Sequence, residues 1–227
     1  MRIGVVSIPG GDENIVEVMK SYFHNEVSII PFHRPAFENV ELVVLPSNEL
    51  YCQNDGLRQR VANSSLSQEL FSYYSNNGFI IGLQSGFDIL CRSGLLCGQF
   101  SISSINPFVN AAVNVVAESR RSALTFLIDS DKPLKLFLSH SLGGLKLAAD
   151  DLHQLKINAQ VLLRYSDDDG FLSMMSCPDG STEGIAAICN SKRNVFGVVP
   201  NLAIPYFHQK SLDGIELLGN FLKMITR

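Results

Sequence analysis

Apolar positions in this chain fall into two alternating patterns, short solid runs and longer stretches with helical spacing. Arg2 to Ile8, Val27 to Phe32, Leu42 to Leu45 and Phe79-Ile80-Ile81 are solid runs. Their length and β-rich content suit strands, and Phe79-Ile80-Ile81 suits one buried on both faces. Between the first two, Ile15, Val16, Val18, Met19 and Tyr22 recur at helical spacing, behind a Pro9-Gly10-Gly11 turn with Asp12 as a cap. A polar loop is expected over Glu49 to Gly56. A further helix is expected over about Leu66 to Tyr74, with Asn76-Asn77-Gly78 as its stop. Strands alternating with helices across tight turns open an α/β, doubly wound sheet.

The second half turns polar from Ser101 to Asn110 and then runs in shorter β-rich pieces. Ala111 to Ala117 and Leu134 to Leu138 read as a small antiparallel return sheet, and Ala159 to Tyr165 as a further strand. Asp167-Asp168-Asp169-Gly170 is an acidic turn without the spacing of a calcium loop. Ile185 to Cys189 and Val195 to Val199 pair across a hairpin, and Ser211 to Ile225 closes the chain as an amphipathic helix. No repeat, linker or low-complexity tract divides residues 1–227, so one domain is expected.

The stretch from Gly78 to Gly98, G-F-I-I-G-L-Q-S-G-F-D-I-L-C-R-S-G-L-L-C-G, carries the candidate chemistry. A buried strand turns sharply between Gly82 and Gly86 and enters a helical segment ending at Gly94. Strand, tight turn and helix around one central residue is the geometry of a nucleophile elbow. The central residue of an elbow is normally Ser or Cys, and here it is Gln84.

The same stretch resembles the G-I-C-N-G-F-Q-I-L-x-x-x-G-L-L-P-G signature of the glutaminase subunit of phosphoribosylformylglycinamidine synthase, a triad-type glutamine amidotransferase. The resemblance runs nearly end to end, from M-R-I-G-V-V-S-I-P-G to Asp213-Gly214, and includes Tyr51, Asp55, Leu57 and Arg58. It implies a flavodoxin-like, doubly wound mixed sheet of the class I glutamine amidotransferase type. It also implies a synthetase subunit as partner in purine biosynthesis.

Hydrolysis of glutamine by that route needs a thiolate, an imidazole base and a carboxylate to orient the base. By the resemblance, Gln84 stands at the nucleophile position, Asn201 at the histidine and Ala203 at the glutamate of a late H-P-E. The Pro-Gly-Gly that would offer amides to an oxyanion is Pro46-Ser47-Asn48. A carboxamide has no proton to lose near neutral pH and does not attack a carbonyl. The expectation is therefore an inactive glutaminase-like subunit acting as a structural or regulatory partner of the synthetase. The alternative is a free-standing binding protein whose remodelled pocket, with Ser47, Asn48, Gln84, Ser85 and Asn201, holds a small amide or amino acid. A third route would rebuild the chemistry from Cys52 and His208. His140, in Leu138-Ser139-His140-Ser141, matches a histidine of the resemblance and is expected to be structural.

Composition narrows the classes further. Net charge is −4, with Lys and Arg scattered, so no footprint for nucleic acid appears. No run reaches the length of a membrane span or a secretory signal. Five cysteines without C-x-x-C spacing read as free thiols in the cytoplasm, and neither a metal nor another cofactor is expected.

Overall fold

A computed structural model describes residues 1–11, 13–102, 109–128, 132–203 and 212–226. The expected cap Asp12, most of the polar stretch after Ser101, His208 and Ser211 lie outside the described residues.

Eleven strands are described: β1 (Arg2–Ser7), β2 (Glu26–Pro31), β3 (Leu42–Leu45), β4 (Phe79–Leu83), β5 (Gln99–Ile102), β6 (Val109–Ala117), β7 (Leu134–His140), β8 (Leu142–Lys146), β9 (Val161–Ser166), β10 (Ile185–Cys189) and β11 (Val195–Val198). The helices are α1 (Glu13–Glu17, continued by a π-helical turn, Val18–Tyr22), α2 (Glu49–Gln53), α3 (Asp55–Ala62), α4 (Leu66–Ser75), α5 (Ser85–Arg92), α6 (Ala149–Ile157) and α7 (Asp213–Ile225).

Nine strands form one mixed sheet in the order β2-β1-β3-β4-β11-β10-β9-β6-β7. The half from β2 to β11 is parallel and the half from β10 to β7 antiparallel. Strands β3, β4 and β11 are apolar and buried along most of their length, as both-face coverage by helices requires. The chain reverses its direction of travel across the sheet between β1 and β3. The crevice beyond the strand ends at such a reversal is where open α/β sheets bind ligands.

Two expectations are corrected. Ala111 to Ala117 and Leu134 to Leu138 do not form a separate return sheet. Their strands β6 and β7 extend the main sheet, because β6 pairs with β9 through Val115↔Tyr165 and its neighbours. The small separate sheet is β5 with β8. The expected polar loop Glu49 to Gly56 holds α2 and the start of α3. Asn48 caps the first through Tyr51 N and Asn54 caps the second through Leu57 N. Each side-chain oxygen satisfies a donor that a helix start leaves free.

Candidate functional site

Strand β4 runs buried to Leu83, and the chain then turns at Gln84 with φ 50° and ψ −107°. That conformation is costly for a residue with a side chain, on the order of 1–3 kcal/mol. It persists because its flanks allow nothing else. A Cβ on Gly82 would fall 2.6 Å from the Gly86 carbonyl carbon, and one on Gly86 would strike the Leu45 carbonyl. Gln84 N donates to Val198 O at 2.8 Å, which fixes the apex against β11, and Gln84 O accepts from Phe87 N at 2.9 Å to start α5. The strained elbow expected from the glycines is present, with a carboxamide at its apex.

The Gln84 side chain does not project into solvent. It is 1% exposed, its Oε1 accepts from the Ser47 hydroxyl, and its Nε2 is buried without a hydrogen-bond partner among the described residues. Asn48 and Ser85 are also interior. Asn48 N donates to Ser85 Oγ at 2.7 Å, and Asn48 Nδ2 donates to Ile8 O at 2.9 Å and Pro9 O at 3.1 Å. With its cap on Tyr51 N, Asn48 ties the ends of β1 and β3 to α2. It is a structural clamp.

Above this layer, beyond the carboxyl ends of β1, β3 and β4, lies a cleft of about 330 Å³. Ser47, Glu49, Leu83, Ser139, Asn201 and Ala203 are among its walls. The structure therefore brings Ser47, Asn201 and Ala203 together at one opening and places Gln84, Asn48 and Ser85 beneath it. Asn201 is buried: its N donates to Phe137 O at 2.8 Å, and its Oδ1 accepts from Ala203 N at 2.9 Å. Ala203, 2% exposed, adds only a methyl group.

Among the described residues, no thiolate stands at the elbow. Cys52 is buried and donates from Sγ to Asn48 O at 3.1 Å. Burial, helped by the charges of Glu49 and Asp88, pushes its thiol up to about 12. A thiol held there stays protonated at neutral pH. Its supposed partner His208 lies outside the described residues. No group of three His, Cys, Asp or Glu side chains able to hold a metal converges among the described residues.

Two buried networks around the site are absent from the sequence reading. Asp88, 1% exposed, accepts from Tyr51 Oη at 2.9 Å and from Arg92 Nε at 2.6 Å, which locks α2 to α5. The second surrounds His140. Asp179 accepts from Tyr165 Oη at 2.9 Å, Ser181 N at 2.9 Å and the Cys177 thiol, and lies 4.0 Å from His140 Nε2. Burial holds the His140 imidazole below its ordinary value, against the opposing pull of Asp179. His140 is thus an interior residue, at the end of the strand whose Ser139 lines the cleft.

A family model for CobB/CobQ-like glutamine amidotransferase domains matches residues 47–206. The chain belongs to that family. Among the curated relatives of this chain, the PurQ subunit of phosphoribosylformylglycinamidine synthase from Salinibacter ruber is 30% identical over 204 residues. The match covers 88% of this chain and 86% of that protein. The corresponding subunit of Aquifex aeolicus is 28% identical over 205 residues, covering 88% and 89%. In fold, the chain is similar to a chain of PurLQS from Thermotoga maritima, with TM-score 0.77, 23% identity and coverage of 98% and 97%. A glutamine amidotransferase from Thermotoga maritima superposes with TM-score 0.64 at 11% identity, covering 100% of this chain and 99% of that one. These two likenesses confirm the class I amidotransferase architecture.

Proposed function

We propose that this amidotransferase-family chain, acting as one domain over residues 1–227, is the PurQ-type subunit of phosphoribosylformylglycinamidine synthase in cytoplasmic purine biosynthesis. It serves there as a non-hydrolysing structural or regulatory partner of the synthetase. The observation that carries this reading is Gln84. The elbow keeps its strain, its packing glycines and its helix, yet presents a buried carboxamide where attack on glutamine needs an ionisable nucleophile. With Asn201 and Ala203 in the cleft wall, neither a base nor its orienting carboxylate is supplied by those positions. The relatives' names supply the partner, because PurQ subunits are named as parts of that synthase.

The test is turnover by the synthetase of the same cell, with and without this protein, using glutamine or ammonium as nitrogen donor. Binding to the synthetase together with stimulation on ammonium alone supports the proposal. Failure to form a complex at micromolar concentration overturns it.

A second reading rests on a separate observation, the open cleft of about 330 Å³ above the filled elbow. In that reading the chain is a free-standing protein whose cleft binds a small molecule. A flat thermal-shift response across small amides, amines, amino acids and nucleotides would count against it.

A further inference from the structure

The hydrogen bonds beneath the cleft have a consequence for what the cleft accepts, on the second reading above, in which it binds a small molecule. A site that receives a carbonyl or carboxylate oxygen must aim donors at it. Here the donors of Ser47, Asn48 and Tyr51 are turned inward. The Ser47 hydroxyl proton is directed at Gln84 Oε1, Asn48 N at Ser85 Oγ, and both Asn48 Nδ2 contacts at the carbonyls of Ile8 and Pro9. Gln84 Nε2 is buried away from the surface, and Tyr51 N, at the start of α2, is taken by Asn48 Oδ1.

Acceptors remain. Ser47 lines the cleft with its proton engaged elsewhere, so its Oγ offers lone pairs. Glu49, half-buried, is the charged side chain in the described lining. Its Oε1 accepts from Gln53 Nε2 at 2.8 Å and from Ser141 Oγ, while its Oε2 accepts from Ser141 N at 3.2 Å. A carboxylate oxygen has room for two such bonds, so Oε2 retains one acceptor position. The Gln53 and Ser141 contacts also hold the side chain in place, which lowers the entropic cost of using it.

We propose that the cleft takes a small organic cation that brings its own N–H donors, a primary ammonium or an amidinium group, held between Glu49 and Ser47. A free carboxylate or phosphate finds no charge partner in the described walls and meets Glu49 instead. Around Ser47 and Glu49 the polarity is inverted relative to a site built to hold an oxyanion.

The test is a titration of the full chain, followed by backbone amide NMR shifts, with methylammonium and acetamidine, and in parallel with acetamide and acetate. The expected result is saturable shifts around Ser47, Glu49 and Ser139 with the two cations alone, weakened by added salt. Glu49→Gln, which keeps an acceptor for Ser141, should weaken binding about three- to fivefold, the size a partly exposed charge supports. Asp55→Asn removes an exposed acid outside the cleft lining and should leave affinity unchanged; a melting curve for each variant shows that it folds. Equal weakening by Asp55→Asn would reduce the effect to surface charge and overturn the proposal. Binding of acetamide or acetate without the cations would overturn the inverted polarity and leave the ligand-binding reading standing. No binding by any probe would overturn both.

Discussion

The Ser47 hydroxyl donates to Gln84 Oε1, latching the loop after β3 onto the apex of the β4–α5 turn. The two residues stand where the resemblance expects an oxyanion loop and a nucleophile. The Ser47 hydroxyl satisfies Gln84 Oε1, while Gln84 Nε2 stays buried without a partner among the described residues. The turn itself is unrelaxed, with Gln84 at φ 50°.

That strain is measurable without any activity. Gln84→Gly and Gln84→Ala remove the same hydrogen bond and nearly the same side chain, but only glycine is at ease at positive φ. Urea denaturation should find Gln84→Gly more stable than Gln84→Ala by about 1 kcal/mol. Equal stabilities would mean that the elbow is not strained.

Packing under the elbow leaves less room still. A Cβ on Gly86 would strike the Leu45 carbonyl, which is backbone in a central strand and does not yield. Gly86→Ala should cost about 3 kcal/mol or more, at the upper end for overpacking, and is expected to appear as poor soluble yield or a strongly lowered Tm. Gly94→Ala, with no atom within 4 Å of the added Cβ, should cost less, from its φ of 71° alone.

The buried carboxylate of Asp88 gives a third expectation. Tyr51→Phe removes one of its two side-chain donors while keeping the ring, so a loss of about 1–2 kcal/mol is expected in chemical denaturation. Burial, with the Asp88 charge next to it, also holds the Tyr51 phenol well above its ordinary value, so this residue should not ionise in an alkaline absorbance titration of the folded chain.

His140 sets a pH dependence. Its folded-state pKa lies below that of the unfolded chain because burial disfavours the imidazolium. The unfolded state therefore takes up the proton first, and stability falls as pH drops below the unfolded value of about 6.5. Thermal melts from pH 7.5 to pH 5.5 should show that decline, and His140→Gln should flatten it. A steeper decline in the variant would contradict this assignment.

Much of the fold was legible in the sequence because its signals are local. Gly82, Gly86 and the run Phe79-Ile80-Ile81 announced the elbow, and Asn77 at φ 63° ends α4 where Asn76-Asn77-Gly78 suggested. Short helices were not legible. Helix α2 buries only Tyr51 and Cys52, and α3 only Leu57 and Val61, too few for a period to emerge. The membership of β6 and β7 was hidden for another reason. It depends on pairing with β9, dozens of residues later, and strand pattern alone does not specify the partner. At the site, residue types raised the expectation of a lost triad, but did not give the direction of each hydrogen bond. Asn48 read as a pocket residue and is a helix cap, and Gln84 read as a pocket wall and lies under the floor.

If the scaffold alone survives, restoring the side chains should restore function. Gln84→Cys, Asn201→His and Ala203→Glu combined should hydrolyse glutamine at least about a hundredfold faster than Gln84→Cys alone, the contribution expected of a positioned base. Ammonia release by the two proteins, each bound to the synthetase, decides this. Equal rates would mean that the cleft no longer fits the substrate.

The central claim is tested most directly on the unaltered protein. Ammonia release from glutamine would be measured with the synthetase, its nucleotide and its amide-accepting substrate present. The account predicts no release above the synthetase-alone control. Release above that control, abolished by Gln84→Ala or Cys52→Ala, would contradict it and show that this elbow or its neighbouring thiol still catalyses.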